Sequence, residues 1–180
     1  LDRADPAKPA GGLTIEELPK LDLIIASHGH EDHLDPATLK QLDRDTPVAV
    51  LRSAARKLKW LGFTDVHPLR AGQDLQLGPL TVHACVGKHP GGHITFVLEA
   101  NGESLFFGGD TAWHPDLPAL GEQFPDLDVA LLPVSGSKML FGQWQVHLDA
   151  EQAARLAVAL APRVAIPIHY HFELRRLPRF

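Results

Sequence analysis

Short apolar runs and helix signals alternate over the first third of the chain and again over the last. Nearly continuous apolar runs, typical of buried strands, occupy residues 21–27, 48–51, 129–134 and 164–168. After the first run, Asp35-Pro36 predicts an N-cap and a first helical residue, with the helix continuing to about Leu42. After the second run, Ser53 predicts the cap of a helix that ends at Gly62. This order of elements is typical of a βαβα arrangement.

The middle of the chain alternates with a period of two instead. Residues 74–77 and 80–86 predict two strands joined by a tight turn. Residues 94–99 and 104–107 flank Asn101-Gly102, which is a strong hairpin signal. We therefore expect these four strands to be antiparallel.

A helix beginning at Asp149 is predicted before the final apolar run, because Ala153, Leu156 and Leu160 fall on one helical face. The chain has 180 residues, of which 44% are hydrophobic. That length suffices for one well-formed core and is too short for two ordinary domains. We expect a single α/β domain over residues 1–180, with an irregular lead-in over residues 1–12.

Composition excludes several classes of protein. No apolar run approaches the roughly 18 to 20 residues that span a bilayer, and the first residues lack the apolar segment of a signal peptide. The single cysteine, Cys85, cannot close an intramolecular disulfide, which agrees with a reducing compartment. We therefore expect a soluble, cytoplasmic protein without a transmembrane segment. A net charge of -5 gives no electrostatic footprint for phosphate backbones, so nucleic acid is not an expected partner.

Eleven histidines are present, and their placement indicates a metal site. His28 and His30 follow the first apolar run two residues apart, so both imidazoles point to one side of an extended chain and can approach one ion. Asp32 and His33 come next, where the chain turns, and can face a second ion. An isolated His-x-His pair would more often be an ordinary polar loop. The complete pattern directly after a strand favours metal binding.

Two further polar residues end predicted strands. Asp110 follows Gly108-Gly109 after the 104–107 strand, although an aspartate in this position could equally be a helix N-cap. His169 ends the last apolar run, where the alternative is a core histidine bonded to backbone. Three strand ends that each carry a His or Asp make convergence on one site the better interpretation.

Taken in order, these motifs resemble the metallo-β-lactamase fold superfamily of hydrolases, and they cover nearly the whole chain. The relevant segments are Ser27 to Asp35, Phe107 to Thr111 and Pro167 to Tyr170. Within that superfamily, residues 18–22, 87–89 and 146–153 are similar to the branch that contains ascorbate-phosphate lactonases and phospholipase-D-like hydrolases of N-acyl phosphatidylethanolamine. The resemblance implies a four-layer αβ/βα sandwich with the metals at one edge.

The resemblance also implies the ligands of two divalent metal ions, with zinc expected first and manganese or iron as alternatives. One ion would be held by His28, His30 and His89, and the other by Asp32, His33 and His169, with Asp110 as the bridge between them. His93 is a rival for His89. We favour His89 because it lies in the loop after a strand, whereas His93 starts the next strand.

The expected activity is hydrolysis by a metal-bound hydroxide of a phosphodiester, lactone or other ester in a small-molecule or lipid-like substrate. Asp32 and Asp110 would orient the nucleophile. His147 would lie at the mouth of the site as a substrate-binding residue or proton donor, the alternative being an ordinary loop histidine. The rival functions are an RNA-processing nuclease of the same superfamily and a metal-binding protein without catalysis.

One departure from the family concerns the start of the chain. Members of the superfamily carry an N-terminal pair of strands before the segment that matches Leu1. Either the sequence is a fragment that lacks those strands, or compact packing or a partner chain, as in a homo-oligomer, covers the exposed sheet edge.

Overall fold

Two β-sheets pack face to face in this protein, whose structure is a computed structural model that describes residues 14–139 and 143–170. The smaller sheet is parallel, and its strands lie in the order β1-β2-β3. These strands are β1 (Ile24–Ala26), β2 (Val48–Leu51) and β3 (Val66–Leu69).

The larger sheet has six strands in the order β11-β8-β7-β6-β5-β4. Its antiparallel part comprises β4 (Gln73–Leu77), β5 (Leu80–Val86), β6 (Ile94–Ala100) and β7 (Glu103–Phe107). Two parallel strands complete it, β8 (Val129–Pro133) and β11 (Val164–Ile168). A small hairpin, β9 (Lys138–Met139) with β10 (Trp144–Gln145), lies outside both sheets.

Helices cover the outer faces of the two sheets. They are α1 (Pro36–Leu39), α2 (Ala55–Trp60), α3 (Leu120–Gln123) and α4 (Ala150–Leu160), and a 3₁₀ turn spans Ile15–Glu17. α1 and α2 pack on the small sheet, and α3 and α4 pack on the large one. The longest of these helices has 11 residues. Within the described ranges no helix has both the length and the apolar character needed to cross a membrane.

Strand alternation divides the interior into three apolar layers. In β2, Val48 and Val50 face α1 and α2, whereas Ala49 between them faces the large sheet. In β7, Phe106 packs toward α4 and the neighbouring Phe107 packs toward the small sheet. The layers therefore run helix, sheet, sheet, helix, which confirms the predicted four-layer sandwich.

Most predicted elements are confirmed, and the exceptions have local causes. The antiparallel strands and the Asp149-capped helix are present; the Asp149 carboxylate accepts the Gln152 N–H at 2.8 Å. The first helix ends at Leu39 rather than near Leu42, because the next turn uses tighter three-residue hydrogen bonds. Ser53 does not cap α2: the N-cap is Ala54, without a side-chain hydrogen bond.

A half-buried glycine, Gly121, sets the separation of α3 and α4. A Cβ on Gly121 would collide with the carbonyl oxygen of Ala159 and lie 3.1 Å from the Cα of Leu160. We expect Gly121→Ala to lower the free energy of unfolding by about 1–3 kcal/mol, because helix backbone cannot move as freely as a side chain. Chemical denaturation measures this. The exposed neighbour Glu122 provides the control, since Glu122→Ala should change stability by less than about 0.5 kcal/mol; equal effects would contradict the packing explanation.

Candidate metal centre

Three imidazole nitrogens lie close together where the end of β1 meets the loop after β5. The Nδ1 atom of His30 lies 3.0 Å from Nε2 of His28 and 3.2 Å from Nε2 of His89. His28 is buried, whereas His30 is exposed. We call His28, His30 and His89 the first group.

Two rings of the first group, His28 and His89, are neutral, and the spacing of the group suits a divalent ion. His89 Nδ1 donates to the carbonyl oxygen of Val146 at 2.9 Å, so the lone pair of the neutral ring is on Nε2, which faces the group. Burial lowers the pKa of His28 to about 2, which keeps this ring uncharged. Zinc–nitrogen bonds in a tetrahedral site place ligand nitrogens about 3.3 Å apart. The observed separations of 3.0 and 3.2 Å therefore fit a bound metal.

A second group contains two carboxylates and two imidazoles: Asp32, His33, Asp110 and His169. His33 Nε2 lies 2.9 Å from Asp110 Oδ1, yet that buried oxygen has no hydrogen-bond partner. This short separation also suits two ligands of one ion. His169 has a left-handed backbone, with φ of 53°, an uncommon conformation that often marks functional sites.

Asp110 lies between the two groups. Its Oδ2 atom is 3.9 Å from His28 Nε2, in the first group, and 3.4 Å from His169 Nε2, in the second. Burial favours the neutral carboxyl, but the neighbouring histidines hold the pKa of Asp110 well below its usual range. Asp110 does not cap a helix, because the chain after it is not helical before Leu120. Its position therefore suits contact with both groups.

Asp32 and His33, which also belong to the second group, differ in exposure. Asp32 is largely exposed, and its Oδ2 lies 3.8 Å from His33 Nε2. Burial acts to lower the pKa of His33, but the adjacent carboxylates of Asp110 and Asp32 raise it overall. The second group thus contains two carboxylates, whereas the first consists of imidazoles alone.

His147 lies inside the site and is buried, rather than exposed at its mouth. Its Nε2 atom is 3.3 Å from Asp110 Oδ2, and its Nδ1 atom is 2.7 Å from the Ser135 hydroxyl. With His89 and Asp110 it forms a further set of side chains close enough to share an ion. The structure thus brings together all eight predicted site residues, counting His147.

Comparison with known proteins gives the family. A family model described as the beta-lactamase superfamily domain matches residues 1–170. The chain belongs to this family. A relative from Thermoplasma acidophilum, named a UPF0173 metal-dependent hydrolase, is 29% identical over 177 residues, which cover 93% of this chain and 74% of the relative. On this basis the protein is a metal-dependent hydrolase of the β-lactamase superfamily.

Solved structures agree on the fold of the hydrolase. Igni18, a metallo hydrolase from Ignicoccus hospitalis, matches with a TM-score of 0.73 and 25% identity, over 91% of this chain and 71% of that one. The metallo-β-lactamase fold protein YhfI from Bacillus subtilis matches with a TM-score of 0.69 and 18% identity, over 86% of this chain and 66% of that one. The hydrolase therefore has the metallo-β-lactamase fold.

His93 lies next to the imidazoles of His28 and His89 but belongs to neither group. Its Nε2 atom accepts the backbone N–H of Asp110 at 3.0 Å. Its Nδ1 atom is buried without a partner and faces Gly87, where any Cβ would collide with it. Burial lowers the pKa of His93 to about 3, so the ring is neutral. Both nitrogens are thus turned away from the first group, and this geometry favours His89 as the ligand.

Close backbone approach explains a glycine beside Asp110. Gly109 has φ of 54°, and a Cβ there would lie 2.7 Å from Ser27 Oγ and 2.8 Å from His93 Nε2. Ser27 in turn lies 3.0 Å from Nδ1 of His28 and fixes the orientation of that ring. Ser27 and the Val146 carbonyl were not predicted as ring partners. Ser27 directly precedes the His28–His33 motif, so its position in the sequence is a signal. The Val146 carbonyl is a backbone group 57 residues from His89, so no sequence pattern identifies it as a partner.

Proposed function

We propose that the hydrolase cleaves a phosphodiester, lactone or other ester bond of a small-molecule or lipid-like substrate at a dinuclear metal centre. The observation that carries this proposal is the position of Asp110, whose carboxylate lies within 4 Å of histidines from both groups. One carboxylate between a cluster of imidazoles and a carboxylate-rich cluster suits two adjacent cations better than one.

The proposed ligands follow the two groups. His28, His30 and His89 would hold one ion, and Asp32, His33 and His169 the other, with Asp110 bridging. When bound, two divalent ions, with zinc expected first and manganese or iron as alternatives, supply Lewis acidity that polarises the scissile group and lowers the pKa of the attacking water.

The side chains supply orientation and proton transfer. The carboxylates of Asp110 and Asp32 accept hydrogen bonds from the attacking water and hold it in line with the scissile bond. His147 can donate a proton from Nε2 to the leaving oxygen, while Ser135, at 2.7 Å from Nδ1, fixes the ring. Because His147 is buried beside Asp110, the leaving group would have to lie deep in the site.

Metal analysis combined with turnover tests the proposal. We expect about two divalent ions per chain in protein purified without added metal, and hydrolysis of bis-p-nitrophenyl phosphate or of members of a lactone and p-nitrophenyl ester panel. Chelation should abolish turnover, and readdition of the ion that elemental analysis identifies should restore it.

Three outcomes would contradict parts of the proposal. A stoichiometry of one ion would exclude a dinuclear centre. Full occupancy without turnover of phosphodiesters, lactones, p-nitrophenyl esters or thioesters would indicate a metal-binding protein without catalysis. Cleavage of RNA alone would favour the nuclease alternative.

A further inference from the structure

A groove leads from the first group along helix α2. A pocket of about 340 Å³ is lined by His28, His30, Ser53, Lys57, Gly91 and Gly92, among others. A second pocket of about 340 Å³ is lined by Ser53, Arg56, Lys57 and Trp60. Because Ser53 and Lys57 line both pockets, the two are parts of one depression, which we call the α2 groove.

Small residues bring α2 close to the metal-facing loop. A Cβ on Gly29 would lie 3.3 Å from the Cβ of Ala54, at the start of α2. On the opposite side, a Cβ on Gly91 would lie 4.0 Å from Nε2 of His30. The groove thus begins at the imidazoles of the first group, and a substrate bound there can extend along α2.

The segment that contains α2 is basic within an acidic chain. Residues 46–64 contain four cations, Arg52, Arg56, Lys57 and Lys59, and no acidic residue, although the whole chain has a net charge of -5. Two of these cations, Arg56 and Lys57, line the α2 groove. In the part of the chain that the structure describes, ion pairs made by Lys or Arg involve Arg155 and Arg163, so these four cations have no carboxylate partner there.

Lys57 is the cation best placed to bind a ligand. It is half-buried and lines both parts of the groove. Asp35 lies within electrostatic range of Lys57, but its Oδ2 already accepts hydrogen bonds from the Thr38 N–H and hydroxyl, each at 2.7 Å. The Lys57 ammonium therefore remains available to an anion in the groove.

Trp60 supplies an apolar surface beside these charges. Its side chain is 84% exposed and lines the groove together with Arg56. An indole in this setting offers a flat face for an apolar or planar part of a ligand, next to cations that bind an anionic group.

We propose that the α2 groove binds an anionic group of the substrate, a carboxylate or a phosphate, at a distance from the scissile bond. Lys57 binds this group with support from Arg56, and Trp60 packs against the adjoining part of the substrate. This inference rests on the proposed function. It narrows the proposed substrate class to esters that carry a negatively charged group away from the scissile bond. A local basic surface also offsets the repulsion that an acidic chain exerts on such substrates.

A matched pair of esters tests the groove. p-Nitrophenyl valerate and mono-p-nitrophenyl glutarate differ by a terminal methyl against a terminal carboxylate. We expect kcat/KM to be about tenfold higher for the glutarate, and Lys57→Met to remove this preference by raising KM for the glutarate by a larger factor than KM for the valerate. Lys59→Met is the matched control, because Lys59 lies on the same helix but does not line the groove.

A binding measurement tests the groove without turnover. Titration of the metal-loaded protein with glutarate, and separately with inorganic phosphate, should change tryptophan fluorescence saturably. The signal should disappear in Trp60→Phe, and the Kd should rise about tenfold in Lys57→Met. Comparison of the two probes shows whether the groove prefers a carboxylate or a phosphate.

The failures of the two proposals can be told apart. Equal kcat/KM for both esters, together with anion binding that is unchanged in Lys57→Met, would overturn the groove and leave hydrolysis intact. Binding that depends on Lys57, without turnover of any ester or phosphodiester, would support the groove and overturn the proposed function. Tighter Lys57-dependent binding of single-stranded RNA than of either small anion would overturn the small-substrate proposal.

Discussion

Asp110→Asn is expected to lose bound metal and to hydrolyse substrate at least about 10²-fold more slowly than the unchanged chain. The substitution keeps the shape of the side chain but replaces a carboxylate by a neutral amide. Four histidine Nε2 atoms lie within 4 Å of the Asp110 oxygens, namely those of His28, His33, His147 and His169. Each of the two proposed ions would therefore lose a negatively charged ligand, and the arrangement of its remaining ligands would change.

Elemental analysis and kcat measured at saturating metal separate the two effects of this substitution. If excess metal restores occupancy but not kcat, Asp110 also orients the attacking water. Asp116→Asn is the control, because Asp116 is exposed, pairs loosely with His114 at 3.8 Å and lies outside the groups. An Asp110→Asn protein that keeps two ions and full turnover would contradict the proposed centre.

The site could be predicted largely because its residues follow strands. His28, Asp110 and His169 each come directly after or near the end of a strand, and strand ends converge at one edge of a sandwich. The apolar runs before them are strong signals, since buried strands need continuous apolar residues. The pattern therefore indicated which side chains meet, although the distances between them depend on packing.

Elements stabilised mainly by their neighbours were not predicted. β3 contains His67-Pro68 and lacks a clean apolar pattern, yet it pairs with β2 along four residues. α3 has only four residues, too few to show a helical period. In both cases tertiary contacts outweigh the weak local preference.

The sequence alone also did not show which residues next to the site support it. Lys57 lies in a run of charges that would ordinarily be a solvated helix face, and what distinguishes it is that it lines the same pocket as His28 and His30. Because it is a histidine, His93 could have been a metal ligand. Its supporting contact with the Asp110 backbone depends on a separation of 17 residues that no local pattern encodes.

Glutamine substitutions at His89 and His93 should have opposite consequences for metal content. His89→Gln replaces a proposed imidazole ligand by a weakly binding amide, so we expect loss of about one ion per chain and at least about 10²-fold lower kcat/KM. His93→Gln keeps an acceptor that can receive the Asp110 N–H, now at 3.0 Å from His93 Nε2. It should keep both ions and lose no more than about 10- to 100-fold in metal affinity or activity, as supporting residues typically do.

Each of these two variants is the control for the other, because the same side chain is introduced four residues apart in one loop. Metal content measured after equilibration at a fixed free-ion concentration gives the comparison, and thermal unfolding shows that both chains fold. The reverse result, with the ion lost from His93→Gln and kept in His89→Gln, would assign the ligand to His93. That assignment would require the His93 ring to give up the Asp110 N–H and turn toward His28, whose ring centroid lies 5.2 Å away. Because the Asp110 backbone N–H would then lack its acceptor, Asp110, the proposed bridging residue, would have to move as well.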